Sequence, residues 1–333
     1  MHIFLVRKFN LIYLESLSLD ISVILVSYNT IDMTKKALND LFASVGNLEM
    51  EVFMIDNASR DNSAEVLRRE YPHITLIENQ QNVGFGRANN QALPFIRGRY
   101  VLLLNTDAFV ESDTLFKTMQ YMEAHPKCGM LGVRLLGRDG TLQPSCRYFP
   151  TSWNIFLERT NLKKFFKHTK LIDDMSWDHN SVRNCDWVPG CYALIRKEVI
   201  DQVGLFDPRY FLYYEEVDHC FAAKRAGWEV AYFPDSTVVH VGGESAKQDA
   251  AISSKSHQIE SLQIESELLF FRKNHGLIGV LAHLLLNSLA DFILFVKALI
   301  KMKSPSDIFF NLKRAAFVWK MYFRTSFANV PTR

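Results

Sequence analysis

No C-x-x-C pair occurs in the chain, and its five cysteines, Cys128, Cys146, Cys185, Cys191 and Cys220, are odd in number and scattered. That spacing excludes a zinc knuckle and a thioredoxin-like motif, and it reads as reduced thiols in a cytoplasmic protein. The pattern of a secretory signal is also missing. The apolar start from Met1 to Val6 is followed, not preceded, by Arg7 and Lys8, and no small-residue cleavage site comes after it. Residues 1–19 therefore read as a poorly defined lead-in. There is no internal repeat and no low-complexity segment. Nor does a basic excess cover the body of the chain. The formal net charge is +2, but Phe271–Arg333 carries 10 Lys/Arg against 2 Asp/Glu, leaving 28 against 34 for Met1–Phe270. An acidic body with a basic tail argues against a nucleic-acid partner and for a tail that meets an anionic lipid surface.

What is present is a globular composition, with 48% hydrophobic and 22% charged residues over 333 positions, so disorder is not the default. This length suits one α/β domain, taken as 20–250, followed by a helical, basic C-terminal region, 251–333. Ile21–Ser27, Glu51–Ile55, Ile74–Ile77 and Tyr100–Leu104 are short apolar runs that read as buried strands. Between them Thr34–Ser44, Ser59–Tyr71 and Ala88–Ile96 read as helices. This rhythm predicts βαβ units, hence an α/β fold with a mostly parallel central sheet flanked by helices. Further on, Gly129–Phe149 reads as a strand and hairpin turning at Arg138-Asp139-Gly140. Asp186–Ile195 reads as a turn into a buried strand, Val217–Gly227 as a helix, and Val230–Val241 as a last strand.

In a parallel sheet the ligand site lies beyond the carboxyl ends of the strands. Those ends carry Tyr28-Asn29, Asp56-Asn57, Asn79 and Asn105-Thr106-Asp107. Each cluster alone is what an ordinary turn or helix cap looks like; four at four consecutive strand ends point to a polar ligand. A carboxylate at Asp107 suits Mg²⁺ or Mn²⁺, which bind through one or two carboxylates plus substrate phosphates. Glu215-Glu216-Val217-Asp218 follows the aromatic run Tyr210–Tyr214 and opens a helix. Adjacent carboxylates among rings have reason to shift apart in pKa, which suits a general base, although acids also favour a helix N-terminus. His240, in an otherwise apolar strand before Gly242-Gly243, is either a core histidine or a ligand facing Asp107.

Taken in order, Val26-Ser27-Tyr28-Asn29, Ile55-Asp56-Asn57-Ala58-Ser59, Asn82-Val83-Gly84-Phe85-Gly86 and Asn105-Thr106-Asp107 resemble glycosyltransferase family 2, of the GT-A fold. Trp187-Val188-Pro189-Gly190, Phe206-Asp207 and Tyr214-Glu215-Glu216-Val217-Asp218 are similar to its rhamnosyltransferase and galactofuranosyltransferase-like branch. The likeness runs from about Ile21 to Gly243. It implies a GT-A nucleotide-diphospho-sugar transferase fold with a C-terminal helical appendage. It also implies a metal-dependent, inverting enzyme of cell-surface polysaccharide synthesis, with a dTDP- or UDP-linked sugar, rhamnose-like, as donor. The acceptor would be a saccharide or a polyprenyl-linked saccharide. Ser27, Tyr28, Asn29, Asp56 and Asn57 would hold the nucleoside, with Asn82 and Gly84 lining the same pocket. Asp107 would be the metal-binding acid of a D-x-D motif whose first acid is here Asn105. His240 would be the second metal ligand, Glu216 the base with Glu215 its rival, and Trp187 and Gly190 would shape the acceptor side.

Three other readings compete. Gly84-Phe85-Gly86 hints at a dinucleotide fingerprint, but Asn89 stands where its third glycine belongs, and the first strand ends without glycine. Paired acids could serve a glycosidase, which needs no nucleotide pocket. A non-catalytic nucleotide-sugar-binding protein on the same fold would not need Asp107, Glu216 and His240 together. In the tail, Gly276–Ile300 is nearly all apolar, with His283, Asn287 and Asp291 at every fourth position. This draws one polar stripe on a helix, followed by Lys297, Lys301, Lys303, Lys313, Arg314, Lys320 and Arg324. It reads as a helix lying on an anionic membrane at the inner face of the plasma membrane. The alternative is a helix packed on the enzyme or on a second copy in a homo-oligomer.

Overall fold

A computed structural model describes residues 19–242 and 256–333. In chain order the elements are β1 (Ile21–Ser27), α1 (Ile31–Ala43), β2 (Met50–Asp56), α2 (Ser63–Glu70), β3 (Thr75–Glu78), α3 (Phe85–Asn90) and β4 (Tyr100–Leu104). There follow β5 (Ala108–Val110), α4 (Thr114–Ala124), β6 (Cys128–Leu136), β7 (Leu142–Gln143), α5 (Ser152–Thr160), β8 (Arg183–Cys185) and β9 (Tyr192–Arg196). The last are α6 (Lys197–Val203), α7 (Glu215–Arg225), β10 (Glu229–His240), α8 (Ser256–Ile300) and α9 (Pro305–Arg324). The lead-in 1–18 and the glycine Gly243 lie outside the described residues, as does a domain boundary at 250.

The strands form one sheet in the order β3-β2-β1-β4-β9-β6-β10-β5. It is parallel from β3 through β4, as the βαβ rhythm predicts. Beyond β4 it becomes mixed, because β9 runs antiparallel to both β4 and β6. Alternate residues of the parallel strands serve opposite faces. Val23, Leu25, Met54, Leu102 and Leu104 pack with Leu38 and Leu41 of α1 and with Leu115 and Met119 of α4. Ile24, Phe53, Val101 and Leu103 face the other way, into a core that includes Val217, Leu268, Phe270, Val280, Leu284 and Met321. The C-terminal helices thus cover one face of the sheet; they share its core rather than hang from it.

Helix bounds move for local reasons. The α2 start shifts from Ser59 to Ser63 because side chains hold the backbone in turns: Asp56 Oδ2 accepts from the Ser59 amide at 3.1 Å and Asp61 Oδ1 from the Ser63 amide at 3.2 Å. The helix expected over Ala88–Ile96 is instead Phe85–Asn90 and then a 3₁₀ turn containing Pro94, which cannot donate a helical hydrogen bond. Gly276, at φ 71°, kinks α8 just where the apolar tail begins.

The polar stripe of the tail faces the protein, not a membrane interface. His283, Asn287 and Asp291 are buried. Arg159 of α5 reaches both Asn287 and Asp291, Arg314 of α9 bonds the second oxygen of Asp291 at 3.3 Å, and His283 Nε2 meets Glu267 at 2.7 Å. A chain of paired charges inside such a seam satisfies groups that would be costly to bury alone. Lys297 is also turned inward, donating to Thr160 O at 2.6 Å. Beyond the Gly276 kink, what α8 presents outward is apolar. Ile278, Leu285, Leu289, Phe292 and Ile300 are exposed, as are Lys301 and Lys303 at the α8–α9 corner and Lys313, Lys320 and Arg324 along α9.

Candidate functional site

A cavity of about 350 Å³ opens beyond the carboxyl ends of β1, β2 and β4. Tyr28, Asn57, Asn82, Gly84, Asn105 and Asp107 line it on the strand side; Gly190, Glu215, Glu216 and His240 close it from the later part of the chain.

The polar rim is tied together by amides. Asn57 Nδ2 donates to Asn82 Oδ1 at 2.9 Å, and Asn57 Oδ1 accepts from the Val83 amide at 3.0 Å. Asn82 Oδ1 also accepts from the Gly84 amide at 2.9 Å. These asparagines hold the loop 82–84 in shape as well as lining the cavity. Gly84 sits at φ 90°, and a Cβ there would lie 2.5 Å from the backbone oxygen of Phe211, so only glycine allows this loop to meet the loop that precedes α7.

Asp107 and His240 are brought together by the sheet. The Val241 amide donates to Asp107 O at 3.0 Å, and His240 pairs in register with Ala108. His240 Nε2 then lies 3.6 Å from Asp107 Oδ1. Gln143 of the β7 hairpin fixes the ring: its Nε2 donates to His240 O at 2.8 Å, so its Oε1 is the atom 2.9 Å from Nδ1 and must accept a proton there. Burial lowers the His240 pKa, the charge of Asp107 opposing it, so the ring is neutral with its Nε2 lone pair turned to the carboxylate. A carboxylate oxygen and an imidazole lone pair side by side fit a divalent cation. No group of three or more His, Cys, Asp or Glu stands ready to cage a metal among the described residues. The pair therefore suits Mg²⁺ or Mn²⁺ completed by ligand oxygens and water.

Glu215 and Glu216 open α7 and line the same cavity. Each has an Oε2 that is buried and without a hydrogen-bond partner. Burial, then the neighbouring Glu216 charge, pushes Glu215 well above the usual carboxylate range. Burial also raises Glu216, against the pull of its backbone amide and of Arg147. Glu215 is 3% exposed, whereas Glu216 is only partly buried and is the more accessible of the two. Cys191 also lines the cavity, but burial raises its thiol far out of reach of ionisation.

Four residues expected at the site stand behind it. Ser27 is fully buried and spends its hydroxyl on Thr34, 3.2 Å away. Asn29, at φ 54°, accepts from the Arg60 amide at 2.7 Å and braces the loop. Asp56 is buried at the end of β2 with Oδ1 unpartnered, and burial raises its pKa. Trp187, expected on the acceptor side, is not among the residues that line the cavity. It is 5% exposed, donates Nε1 to Tyr148 O at 2.9 Å and carries the Arg147 guanidinium 4.0 Å above its ring. It packs in the core and touches the cavity only through its neighbours, while Gly190 does line the wall. Sequence reasoning missed Gln143, Phe211 and Tyr213. The aromatic run marked the last two, but nothing local marks Gln143, whose role depends on pairing between β6, β7 and β10.

The model of the family described as Glycosyl transferase family 2 matches residues 22–204. Among curated proteins, the chain is 25% identical to an N-acetylglucosaminyl-diphospho-decaprenol L-rhamnosyltransferase of Mycobacterium tuberculosis, over 68% of this chain and 76% of that one. It is 26% identical to the rhamnosyltransferase WbbL of Escherichia coli K12, over 66% and 82%. Among solved structures it resembles a mannosyltransferase of Pyrobaculum calidifontis, solved with GDP-Man and Mn²⁺. The TM-score is 0.53 with 17% identity, over 93% of this chain and 84% of that one, a likeness of fold.

Proposed function

The chain belongs to glycosyl transferase family 2, and from that premise we propose that it is an inverting transferase. It moves a rhamnose-like sugar from a dTDP- or UDP-linked donor to a hydroxyl of a saccharide or polyprenyl-linked acceptor, in cell-surface polysaccharide synthesis. The observation that carries this reading is that one cavity is lined by both the Asp107–His240 pair and the Glu215–Glu216 pair. The first suits a metal and a diphosphate, the second a hydroxyl that must lose its proton. The rhamnosyltransferase names of two relatives support the sugar, and the first of those names supports a polyprenyl-diphosphate-linked acceptor.

In this reading Tyr28 and Asn57, which line the cavity, hold the nucleoside with Asp56 behind them, and Asn82, Gly84 and Asn105 line the way to the sugar. Glu216 takes the proton of the acceptor hydroxyl. The hydroxyl oxygen then forms its bond to the anomeric carbon as the carbon–oxygen bond to the diphosphate breaks on the opposite face. A single displacement of this kind inverts the anomeric centre. Asp107 and His240 would hold Mg²⁺ or Mn²⁺, which when bound supplies positive charge against the leaving diphosphate.

The enzyme works from the cytoplasmic face of the plasma membrane. Among the described residues one helix, within α8, is long and apolar enough by length and composition to cross a membrane. Its buried stripe, ion-paired to α5 and α9, supports a helix lying along the protein with its outer side on lipid instead. To test the function, the purified protein is offered a panel of dTDP-, UDP- and GDP-sugars with a polyprenyl-diphosphate-linked saccharide, and the anomeric configuration of the product is read by NMR. Transfer with retained configuration, or no transfer from any donor, overturns the reading.

A further inference from the structure

The loop that delivers Glu215 and Glu216 to the cavity contains two consecutive tyrosines in the left-handed region, Tyr213 at φ 70° and Tyr214 at φ 68°. Side chains other than glycine rarely adopt that conformation, so it persists only where neighbouring contacts over-determine it. Tyr213 lines the cavity; Tyr214 is not among its lining residues. Tyr214 is also the residue from which α7 starts, its carbonyl accepting from the Asp218 amide at 2.9 Å.

Among the described residues the Phe85 amide holds this loop on one side, donating to Phe211 O at 2.9 Å, and α8 holds it at Leu212, Tyr214 and Asp218. The Tyr214 hydroxyl donates to Glu267 Oε2 at 2.8 Å, and its ring lies 5.4 Å from that of Phe270. The Ser266 hydroxyl donates to Leu212 O at 2.9 Å. One turn into α7, Asp218 accepts from Lys273 Nζ at 2.6 Å and from Asn274 Nδ2 at 2.7 Å. Glu267 is itself held, with Oε1 2.7 Å from His283 Nε2 and the His283 ring stacked 4.0 Å from Phe271. Burial alone would raise the Glu267 carboxyl, but His283 and Tyr214 together keep it below the usual range, so it stands as a carboxylate accepting from both sides.

We propose that α8 is a clamp on the catalytic loop, and that the Tyr214–Glu267 hydrogen bond is a positioning contact that sets the angle at which Glu215 and Glu216 enter the cavity. This rests on the transferase reading for its consequence in turnover, but not for its consequence in the loop. Neither Tyr214 nor Glu267 needs to touch substrate. The clamp acts through the two left-handed residues: freed of Glu267, the loop can leave that conformation, and the carboxylates move with it. It also gives the C-terminal region a part in the chemistry, distinct from any contact of its outer side with lipid.

The experiment uses the full chain with Tyr214→Phe, Glu267→Leu, which leaves the Tyr214 hydroxyl no acceptor there, and the pair combined, and Ser288→Ala as a control. The control breaks the 3.0 Å bond from Trp319 elsewhere on α8. Amide hydrogen exchange over 210–218 is read together with kcat on a donor that the wild type turns over, and with calorimetric affinity for UDP and dTDP. In the first three variants exchange should rise in 210–218 alone and kcat fall about 10- to 100-fold, the range for a displaced catalytic group. Nucleotide affinity should hold, and the double variant should be no worse than the Glu267 variant alone, since that change already removes the contact that Tyr214→Phe removes. Ser288→Ala should match wild type. The proposal is overturned by unchanged exchange over 210–218, by exchange rising across the whole chain, or by single effects that multiply in the double. If the wild type transfers no sugar yet exchange rises as described, the clamp stands and the transferase reading falls. If the wild type is active and Tyr214→Phe keeps its kcat, the clamp's role in turnover falls alone.

Discussion

Gln143 grips His240 at both ends of its amide, donating to the backbone oxygen at 2.8 Å and accepting from ring Nδ1 at 2.9 Å. The backbone carbonyl can only accept, so it identifies which end of the amide is nitrogen, and the ring tautomer follows. Supporting partners of this kind typically contribute 10- to 100-fold to metal affinity. Gln143→Leu should therefore weaken Mn²⁺ binding by about that factor, measured by calorimetry with UDP present. Wild-type Mn²⁺ affinity in the variant would strip Gln143 of this role.

Removing the metal should remove activity. Excess chelator should abolish turnover, and added Mg²⁺ or Mn²⁺ should restore it. Asp107→Ala should lose activity that neither ion restores, because one of only two protein ligands is gone. Full turnover in chelator would end the metal assignment of Asp107 and His240 together.

For the base, Glu216→Gln should lower kcat by about 10²–10⁴-fold, the usual contribution of proton transfer, with donor affinity kept. The base works only when ionised, and burial raises both carboxyls. The acid limb of kcat/KM should thus lie above the ordinary carboxylate pKa of about 4.3, with rate rising as pH rises through it. A dead Glu215→Gln beside a nearly normal Glu216→Gln would reverse the pair.

The same shift has a cost in stability. Glu215 is favoured neutral in the fold, so its contribution is fully present below its unfolded pKa and is lost as pH rises through the raised folded value. Glu215→Gln should then raise the Tm at pH 8, where the unfolded chain gains by ionising this carboxyl and the fold disfavours its charge, and change it little at pH 4. An equal gain at both pH values would mean that packing, not ionisation, is responsible.

How much of this was legible in the sequence depends on whether a feature is local. Strands β1 to β4 and the polar ends that line the cavity, Asp107 among them, follow from short apolar runs and their boundaries, whereas Glu215 and Glu216 stand out as adjacent acids after an aromatic run. His240 was legible only as an alternative, because its meeting with Asp107 needs β10 paired with β5, across more than a hundred residues. Gln143 and Glu267 left no signal, since each matters through a partner 97 or 53 positions away. The place of Trp187 was not legible, because an aromatic in a motif is as useful in the core as at a site. In the tail the every-fourth spacing of His283, Asn287 and Asp291 was correctly seen as a stripe. Periodicity gives a face, not its direction, and only Arg159 and Arg314 show that it turns inward.

That direction shapes the membrane test. Ending the chain near Asn274 would remove Val280, Leu284 and Met321 from the main core, so loss of binding would report only unfolding. Single changes on the outer side are cleaner. Leu285 is 63% exposed and Phe292 is 55% exposed, and among the described residues neither supports the core clusters. The wild type should float with vesicles containing anionic lipid and release as salt rises, since Lys301, Lys303 and Lys313 contribute about 1 kcal/mol each near such a surface. Leu285→Asp with Phe292→Asp should abolish flotation while leaving the Tm unchanged, because their side chains already meet solvent. Lys301→Glu with Lys303→Glu should weaken binding to anionic vesicles and make what remains less sensitive to salt. Binding that resists alkali would mean that the helix spans the bilayer. The spacing of Ile278, Ala282, Leu285, Leu289 and Phe292, alternating four and three, would also seat a second copy of the chain. A dimer in solution that the two aspartates dissociate, with no vesicle binding by the wild type, would assign the stripe to self-association and overturn its place on lipid.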